Sequence, residues 1–164
     1  MKGATLYGTL KRKAQRVQNI LGDMGYSNQV VELPESTRTA EEAAAAIGCE
    51  VAQIAKSIIF RLANSSKPLL VVASGVNRVN EKKFSTLLQE KLKKADADFV
   101  REQTGFVIGG VAPIGHVREI MTFIDEGLFQ YGTVWAAAGH PKAVFECSPD
   151  ELVAFTGGQV MSIT

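Results

Sequence analysis

The chain has 164 residues, of which 46% are hydrophobic and 21% charged, and its 18 basic and 17 acidic residues give a net charge of +1. This length and composition predict an ordinary soluble domain with a core of its own. A net charge near zero disfavours a protein that coats long nucleic acids such as DNA, because that affinity comes from many phosphate contacts. A protein that contacts only the tip of an RNA remains compatible with this charge.

The sequence also lacks the patterns of membrane insertion, export and metal binding. No segment approaches the roughly 20 consecutive apolar residues that span a bilayer, and no apolar run of the signal-peptide type follows the basic residues before Lys13. Cys49 and Cys147 stand far apart and in no metal-ligand spacing, which favours free thiols in a reducing compartment. The predicted location is therefore the cytoplasm, with no metal or other cofactor expected.

The first third of the chain predicts two helices and a short strand. Apolar residues at helical spacing predict a helix over about 9–24, and a short strand follows at 29–33. Thr39 and Glu42 form a capping box, in which each side chain accepts the backbone N–H of the other residue. The helix that begins there is expected to run to Gly48, and residues 50–55 are expected to add one or two helical turns.

The rest of the chain is rich in predicted strands. Residues 57–62 and 68–73 are apolar, contain many β-branched side chains and flank a turn, which predicts a strand hairpin. Ser148, with Pro149 after it and Glu151 three residues on, predicts the start of a last helix. A further helix is expected from the cap Asn80 to about Lys93, with a buried face of Phe84, Leu87, Leu88 and Leu92. Other strands are predicted at 117–124, 133–138, 143–146 and 159–163.

Strands and helices thus alternate irregularly, and several strand pairs have no helix between them. This order favours a mixed α/β (α+β) fold with a mixed, partly barrel-like sheet over a doubly wound parallel sheet. We expect a single domain over 1–164, with an N-terminal helix at about 9–24 and a core at about 29–164.

The segment 104–116 contains the most informative pattern, in which apolar residues lead into Gly109 and Gly110 and Pro113 follows. Paired glycines bring bare backbone close to a ligand, and the proline stiffens the exit of the turn. Such a loop can aim consecutive N–H groups at a carbonyl or an oxyanion. A tight hairpin turn explains the same spacing. The segment matches neither a nucleotide-binding glycine loop nor the elbow of serine hydrolases.

Lys56 is the second notable residue, because it stands alone between the Ala-rich helical region and the strand expected at Ser57. A lysine ammonium at the mouth of a strand can hold a phosphate or polarise an ester carbonyl. The alternative is a helix-end lysine that complements the helix dipole.

Two further polar residues are candidates with strong structural alternatives. His140, in a turn between two predicted strands, could bind substrate or transfer a proton, whereas most histidines in such turns are structural hydrogen-bonders. Asp125 follows a predicted strand and could orient Lys56, or it could cap a helix. His116, directly after a turn glycine, has the same alternatives as His140.

Taken together, these segments resemble the YbaK/prolyl-tRNA synthetase editing-domain family of trans-acting aminoacyl-tRNA deacylases. The resemblance runs from about Val30 to the C-terminus. Its carriers are the Thr39-Ala-Glu-Glu-Ala-Ala segment, Ile-Ala-Lys56-Ser-Ile-Ile-Phe, the Gly109-Gly-Val-Ala-Pro113 loop with Ile114-Gly115, Asp125, and Ala138-Gly-His140-Pro.

The resemblance implies hydrolysis of the ester between a mischarged amino acid and the terminal adenosine of a tRNA. Lys56 would be the key lysine at the acceptor end, and Gly109 and Gly110 would act catalytically through their backbone. The loop residues Val111, Ala112 and Pro113, together with Asp125 and His140, would contact the substrate. The implied partners are the 3′ acceptor end of a mischarged tRNA, with tRNA-Pro first, and prolyl-tRNA synthetase. Binding to DNA or to a membrane is not expected.

Three functional hypotheses remain open from the sequence. The first is the free-standing deacylase. The second is a non-catalytic module that uses the same groove to hold tRNA ends or ligands that resemble an aminoacyl-adenylate. The third is a metal-dependent hydrolase, for which two histidines and scattered carboxylates offer no ligand cluster. The amino acid removed is not readable from the sequence.

Overall fold

The computed structural model describes residues 10–35 and 38–164, and the bounds below refer to these residues. The remainder of the predicted domain, 1–9 and 36–37, lies outside them. The α-helices are α1 (Arg12–Asp23), α2 (Ala40–Ile47), α3 (Glu81–Leu88), α4 (Ala97–Thr104) and α5 (Pro149–Thr156). The strands are β1 (Val30–Glu32), β2 (Ile54–Leu62), β3 (Pro68–Ser74), β4 (Leu92–Lys94), β5 (Met121–Asp125), β6 (Val134–Ala137), β7 (Ala143–Cys147) and β8 (Gln159–Met161).

The eight strands form one mixed sheet, which confirms the predicted mixed α/β fold class. Their order is β1-β7-β6-β2-β3-β5-β8, and β4 pairs with β2 off this path. The pairs β2/β6, β3/β5 and β5/β8 are parallel, whereas β1/β7, β6/β7, β2/β3 and β2/β4 are antiparallel. The hairpin expected from 57–62 and 68–73 is therefore present as β2 and β3.

The two edges of β2 are paired very differently. On one edge β2 pairs with β3 continuously from Ala55 to Arg61. On the other edge it pairs with β6 only at Ile54 and Ala55, and with β4 from Phe60 to Leu62. Within the described ranges, residues 56–59 therefore have no neighbouring strand on this second edge, and a gap opens in the sheet there.

The core lies on both faces of β3, in which Leu69 to Val72 are fully buried. Leu70 and Val72 pack into the larger hydrophobic cluster, and Leu69 and Val71 pack into a second cluster around Phe84. Successive strand residues point to opposite faces, so an unbroken apolar run indicates a strand that is covered on both sides.

Helix starts follow the predicted caps closely. Thr39 and Ser148 each make both hydrogen bonds of a capping box, and the Asn80 side chain accepts the N–H of Lys83. None of the helices in the described chain combines the length and the hydropathy that a membrane crossing needs.

Three local predictions are wrong. The segment 50–55 forms only a single 3-10 turn at Val51–Gln53 before β2 begins at Ile54, so Lys56 lies inside a strand. The helix from Asn80 ends at Leu88, because Gln89 adopts a left-handed conformation (φ 59°) and residues 92–94 pair with β2. Leu87, expected on the buried face of that helix, is 51% exposed.

We expect the Ser148 cap to stabilise the fold through α5, whose Leu152 and Phe155 are buried. Ser148→Ala removes the acceptor that the Glu151 N–H reaches at 3.0 Å, and it should lower the free energy of unfolding by about 1 kcal/mol. Urea unfolding measures this difference. The exposed Thr133→Ala is the control and should change it by less than about 0.5 kcal/mol. Equal values for the two variants would contradict a stabilising cap.

Candidate active site

One cavity brings the two main predicted features together. It has a volume of about 370 Å³ and is lined by Lys56 and its neighbours in β2, by Ile108, Gly109 and Val111 of the glycine loop, and by Trp135 to Ala137 of β6. The gap in the sheet beside residues 56–59 opens onto this cavity. The lysine and the loop therefore face a common space.

Lys56 owes its position to the strand that carries it. It is the third residue of β2 and pairs with Ala73 of β3, and its side chain is exposed. Since alternate strand residues share a face, Lys56 lies on the same side as Ile54 and Ile58. The alternative of a helix-end lysine does not apply, because no helix ends at this residue.

The charged side chains that line the cavity from the described part of the chain are all cationic: Arg38, Lys56 and Lys94. Such a rim favours a ligand that carries phosphates or develops negative charge. Sequence reasoning did not select Arg38 or Lys94. Arg38 directly precedes the capping box and Lys94 closes a lysine-rich stretch, and neither position by itself indicates a cavity.

The glycine loop offers the cavity different N–H groups from those expected. The N–H of Gly110 donates to the carbonyl of Val107 at 2.9 Å, which closes a turn. Gly109, at the turn's centre, has φ +89°, a conformation that favours glycine. Hydrogen bonds among the described residues leave the N–H groups of Gly109 and Val111 without an acceptor. Those two, rather than two consecutive glycines, are available to a ligand.

Gly110 has a packing role. A Cβ on this residue would lie 2.9–3.0 Å from the backbone N, Cα and C of His140, closer than two such atoms pack without displacement. The glycine therefore allows the loop to lie directly against the turn between β6 and β7. Ala112 and Pro113 are buried and are not in the cavity lining that the structure describes, whereas Val111 forms part of the lining.

Helix α1 and His116 hold the far side of the loop. Arg16 donates from Nη2 to the carbonyl of Gly115 at 2.7 Å, and His116 Nε2 contacts the carbonyl of Ala112 at 2.7 Å. Burial lowers the pKa of His116, and nearby Arg16 lowers it further, although the Ala112 carbonyl acts in the opposite direction. A neutral ring with its proton on Nε2 therefore donates to Ala112, which makes His116 a structural residue of the loop.

His140 lies beside the loop but does not line the cavity in the described structure. Its backbone forms the wall against Gly110, and its Nδ1 accepts the N–H of Lys142 at 3.1 Å. This hydrogen bond stabilises the turn between β6 and β7. A substrate contact by His140 stays a prediction.

Asp125 is buried away from the cavity. Its carboxylate accepts N–H groups of Ser74 (2.9 Å), Asn77 Nδ2 (2.9 Å) and Gly127 (2.8 Å). These bonds connect the ends of β3 and β5 and start the 3-10 turn at Glu126–Gln130. The structure does not bring Asp125 to Lys56, and its contacts are those of a cap, the alternative that the sequence left open.

Both cysteines are poor nucleophiles in this structure. Burial raises the pKa of the Cys147 thiol to about 12 and also raises that of Cys49. Neither residue is part of the cavity lining that the structure describes. Within the described residues, no three His, Cys, Asp or Glu side chains are grouped as metal ligands would be.

We expect Gly110→Ala to push the loop away from the His140 turn, because its Cβ has no room against backbone atoms. The strain should lower the free energy of unfolding by about 1–3 kcal/mol, measured by urea unfolding. Gly132→Ala is the matched control, since a Cβ there meets nothing within 4 Å, and it should change stability by less than about 0.5 kcal/mol. Equal stability of both variants would show that the contact is not tight.

Comparison with known proteins adds evidence from sequence. The family model for the aminoacyl-tRNA editing domain matches residues 34–155. The uncharacterized protein YwhH of Bacillus subtilis (strain 168) is 35% identical over 133 residues, which cover 81% of this chain and 84% of that protein. EbsC of Enterococcus faecalis, described as a candidate Cys-tRNA(Pro)/Cys-tRNA(Cys) deacylase, is 25% identical over 160 residues, which cover 94% of this chain and 97% of that protein.

A solved structure is also similar to this chain over most of its length. A crystal structure described as a candidate trans-editing enzyme for prolyl tRNA synthetase superposes with a TM-score of 0.89 and 45% sequence identity. The match covers 95% of this chain and 99% of that chain. The similarity therefore extends over nearly the whole length of both chains.

Proposed function

This chain belongs to the aminoacyl-tRNA editing domain family, and we propose that it is a free-standing deacylase that removes a wrongly attached amino acid from the 3′ end of a tRNA. The observation that carries the proposal is the cavity between Lys56 and the glycine loop. Relatives that are described as a deacylase and as a trans-editing enzyme support the same activity.

The reaction suits a site without a strong nucleophile. An aminoacyl ester is already activated, so its hydrolysis needs a positioned water or substrate hydroxyl and support for the developing oxyanion. The oxygen of a water, positioned by the site or by a substrate hydroxyl, bonds to the acyl carbon and the ester C–O bond breaks. The proton that the water loses passes to the leaving oxygen, so the amino acid is released and a hydroxyl remains on the tRNA. The N–H groups of Gly109 and Val111, which have no acceptor among the described residues, are the candidate oxyanion donors. Each would stabilise the transition state by about 3 kcal/mol.

The cationic rim supplies the second half of the proposal. In this scheme the Lys56 ammonium contacts the acceptor end, where it neutralises a phosphate or polarises the ester carbonyl. Arg38 and Lys94 line the same cavity and would attract the phosphates near the tRNA terminus. Because few phosphates are contacted, this mode of binding agrees with a net charge of only +1.

We propose tRNA-Pro as the first tRNA to test and prolyl-tRNA synthetase as the first partner. The description of EbsC names tRNA(Pro) as part of its substrate, and the description of the structurally similar trans-editing enzyme names prolyl tRNA synthetase. A purified panel of mischarged tRNAs, assayed for release of amino acid, tests the proposal directly. Binding of tRNA without any release would indicate the non-catalytic module instead, and loss of release in chelator would indicate a metal-dependent hydrolase.

We expect Lys56→Ala to lower the rate of deacylation by about 100-fold or more, because it removes a charge from the site of the developing oxyanion. The free energy of unfolding should change little, since the Lys56 side chain is exposed. Initial rates with one mischarged tRNA, together with urea unfolding, measure both effects. Lys82→Ala, on the exposed side of α3, is the control and should retain the full rate. Full activity in Lys56→Ala would remove Lys56 from the site.

A further inference from the structure

Some main-chain groups of β2 face the gap in the sheet and form no hydrogen bond to a strand of the described chain. No strand in the part of the chain that the structure describes pairs with residues 56–59 of β2 on the edge that β6 and β4 share. The cavity is lined by the consecutive residues of β2 from Ile54 to Phe60. The cavity therefore borders an open strand edge as well as side chains.

The hydrogen bonds at the two ends of β2 show which of its residues point their main-chain N–H and C=O groups toward this open edge. The carbonyl of Ile54 accepts the Gly75 N–H and the N–H of Leu62 donates to Lys67, both at 2.9 Å and both on the β3 side. The N–H of Ala63 donates to Lys91 at 2.9 Å, on the β4 side. Main-chain groups of successive strand residues point to opposite edges, so even-numbered residues of β2 address β3 and odd-numbered ones address the other edge.

Ser57 therefore presents both its N–H and its C=O to the gap. Its hydroxyl is also notable, because the oxygen is buried and has no hydrogen-bond partner among the described residues. Buried polar atoms are usually satisfied in native proteins. Ser57 thus combines an open main-chain pair with an unpartnered side chain at the cavity.

From this arrangement we infer that Ser57 binds the aminoacyl group of the substrate as a one-residue strand. The inference rests on the proposed deacylase function. In a hydrogen-bonded antiparallel pair, two opposite residues exchange both N–H···O=C bonds, and an α-aminoacyl group contains the same amine and carbonyl as one residue. Its α-amine donates to the Ser57 C=O, and its acyl oxygen accepts the Ser57 N–H in addition to the loop N–H groups of Gly109 and Val111.

The charges of the cavity support a main-chain acceptor for the amine. The charged lining side chains of the described chain are Arg38, Lys56 and Lys94, none of which can accept a hydrogen bond. Among the other lining groups, the Thr39 hydroxyl already accepts the Glu42 N–H, and the unpartnered Ser57 hydroxyl belongs to the same residue as the carbonyl assigned here to the amine. The charged and neutral forms of an α-amine both donate an N–H to such acceptors.

The pairing also directs the side chain of the substrate. Directly opposite residues of an antiparallel pair place their side chains on the same face, with Cβ atoms about 4.5–5.5 Å apart. The substrate side chain would therefore lie beside the Ser57 hydroxyl, on the face of Ala55 and Ile59, where Val100, Val111 and Ala136 also line the cavity. This surrounding fits a small side chain.

Amide hydrogen exchange and chemical shifts in the ¹⁵N-labelled full chain test the inference. In the free protein, the Ser57 amide should exchange at least about 100-fold faster than the Ile58 amide, which faces β3 and is the internal control. A non-hydrolysable alanyl-amide of 3′-amino-3′-deoxyadenosine should slow the exchange of Ser57 at least about 10-fold and shift its resonance. The desamino analogue, which lacks the α-amine, should bind at least about 10-fold more weakly.

The outcomes separate this inference from the deacylase proposal. Equal protection of Ser57 and Ile58 in the free protein overturns the inference, because the edge would then be covered. Deacylation with no response of the Ser57 amide to the alanyl-amide overturns it while leaving the proposed function intact, and so does equal binding of the desamino analogue. No release of amino acid from any tRNA in the panel overturns the proposed function, and the inference that rests on it fails as well.

Discussion

Strand β2 is bonded along its whole length to β3, whereas its other edge is shared by two short strands that do not meet. The continuous side anchors the strand in the fully buried core around Leu70 and Val72. On the divided side, no strand of the described chain pairs with residues 56–59, and the main-chain groups of Ser57 and Ile59 face this gap. Lys56 and Ser57 are therefore positioned by a strand and not by a loop. The cavity lies along β2 between the residues that pair with β6 and those that pair with β4.

The opposite wall of the cavity depends on close backbone packing. Gly110 lies against the main chain of His140 with no space for a Cβ, while Arg16 and His116 hold the other end of the same loop through the carbonyls of Gly115 and Ala112. These contacts come from α1, from the β6–β7 turn and from the loop itself. The backbone at Gly109 and Val111 is therefore held in place by three separate parts of the chain, which is the preorganisation that the proposed oxyanion donors would need.

Much of this architecture was predictable because it depends on local chemistry. The caps at Thr39 and Ser148, the β2–β3 hairpin and the glycine turn all follow from residue types a few positions apart, whose hydrogen bonds or backbone conformations form within one segment. Errors arose where tertiary pairing overrode local propensity. Residues 92–94 continue a helical pattern but pair with β2, and Ile54 and Ala55 follow a helical turn but pair with β6.

The candidate site divides in the same way. The residue types and spacing of Gly109 and Pro113 predict a turn that presents backbone N–H groups, and Lys56 stands out as an isolated cation, because these properties belong to each residue. Tertiary structure alone decided that Gly110 packs against His140 and that Asp125 connects β3 and β5. It also decided that, among the described residues, the N–H groups of Gly109 and Val111 have no acceptor and Ser57 faces an edge without a paired strand. Each of these facts depends on which distant segment fills the space beside a residue, and that is settled only when the strands of the whole sheet have paired.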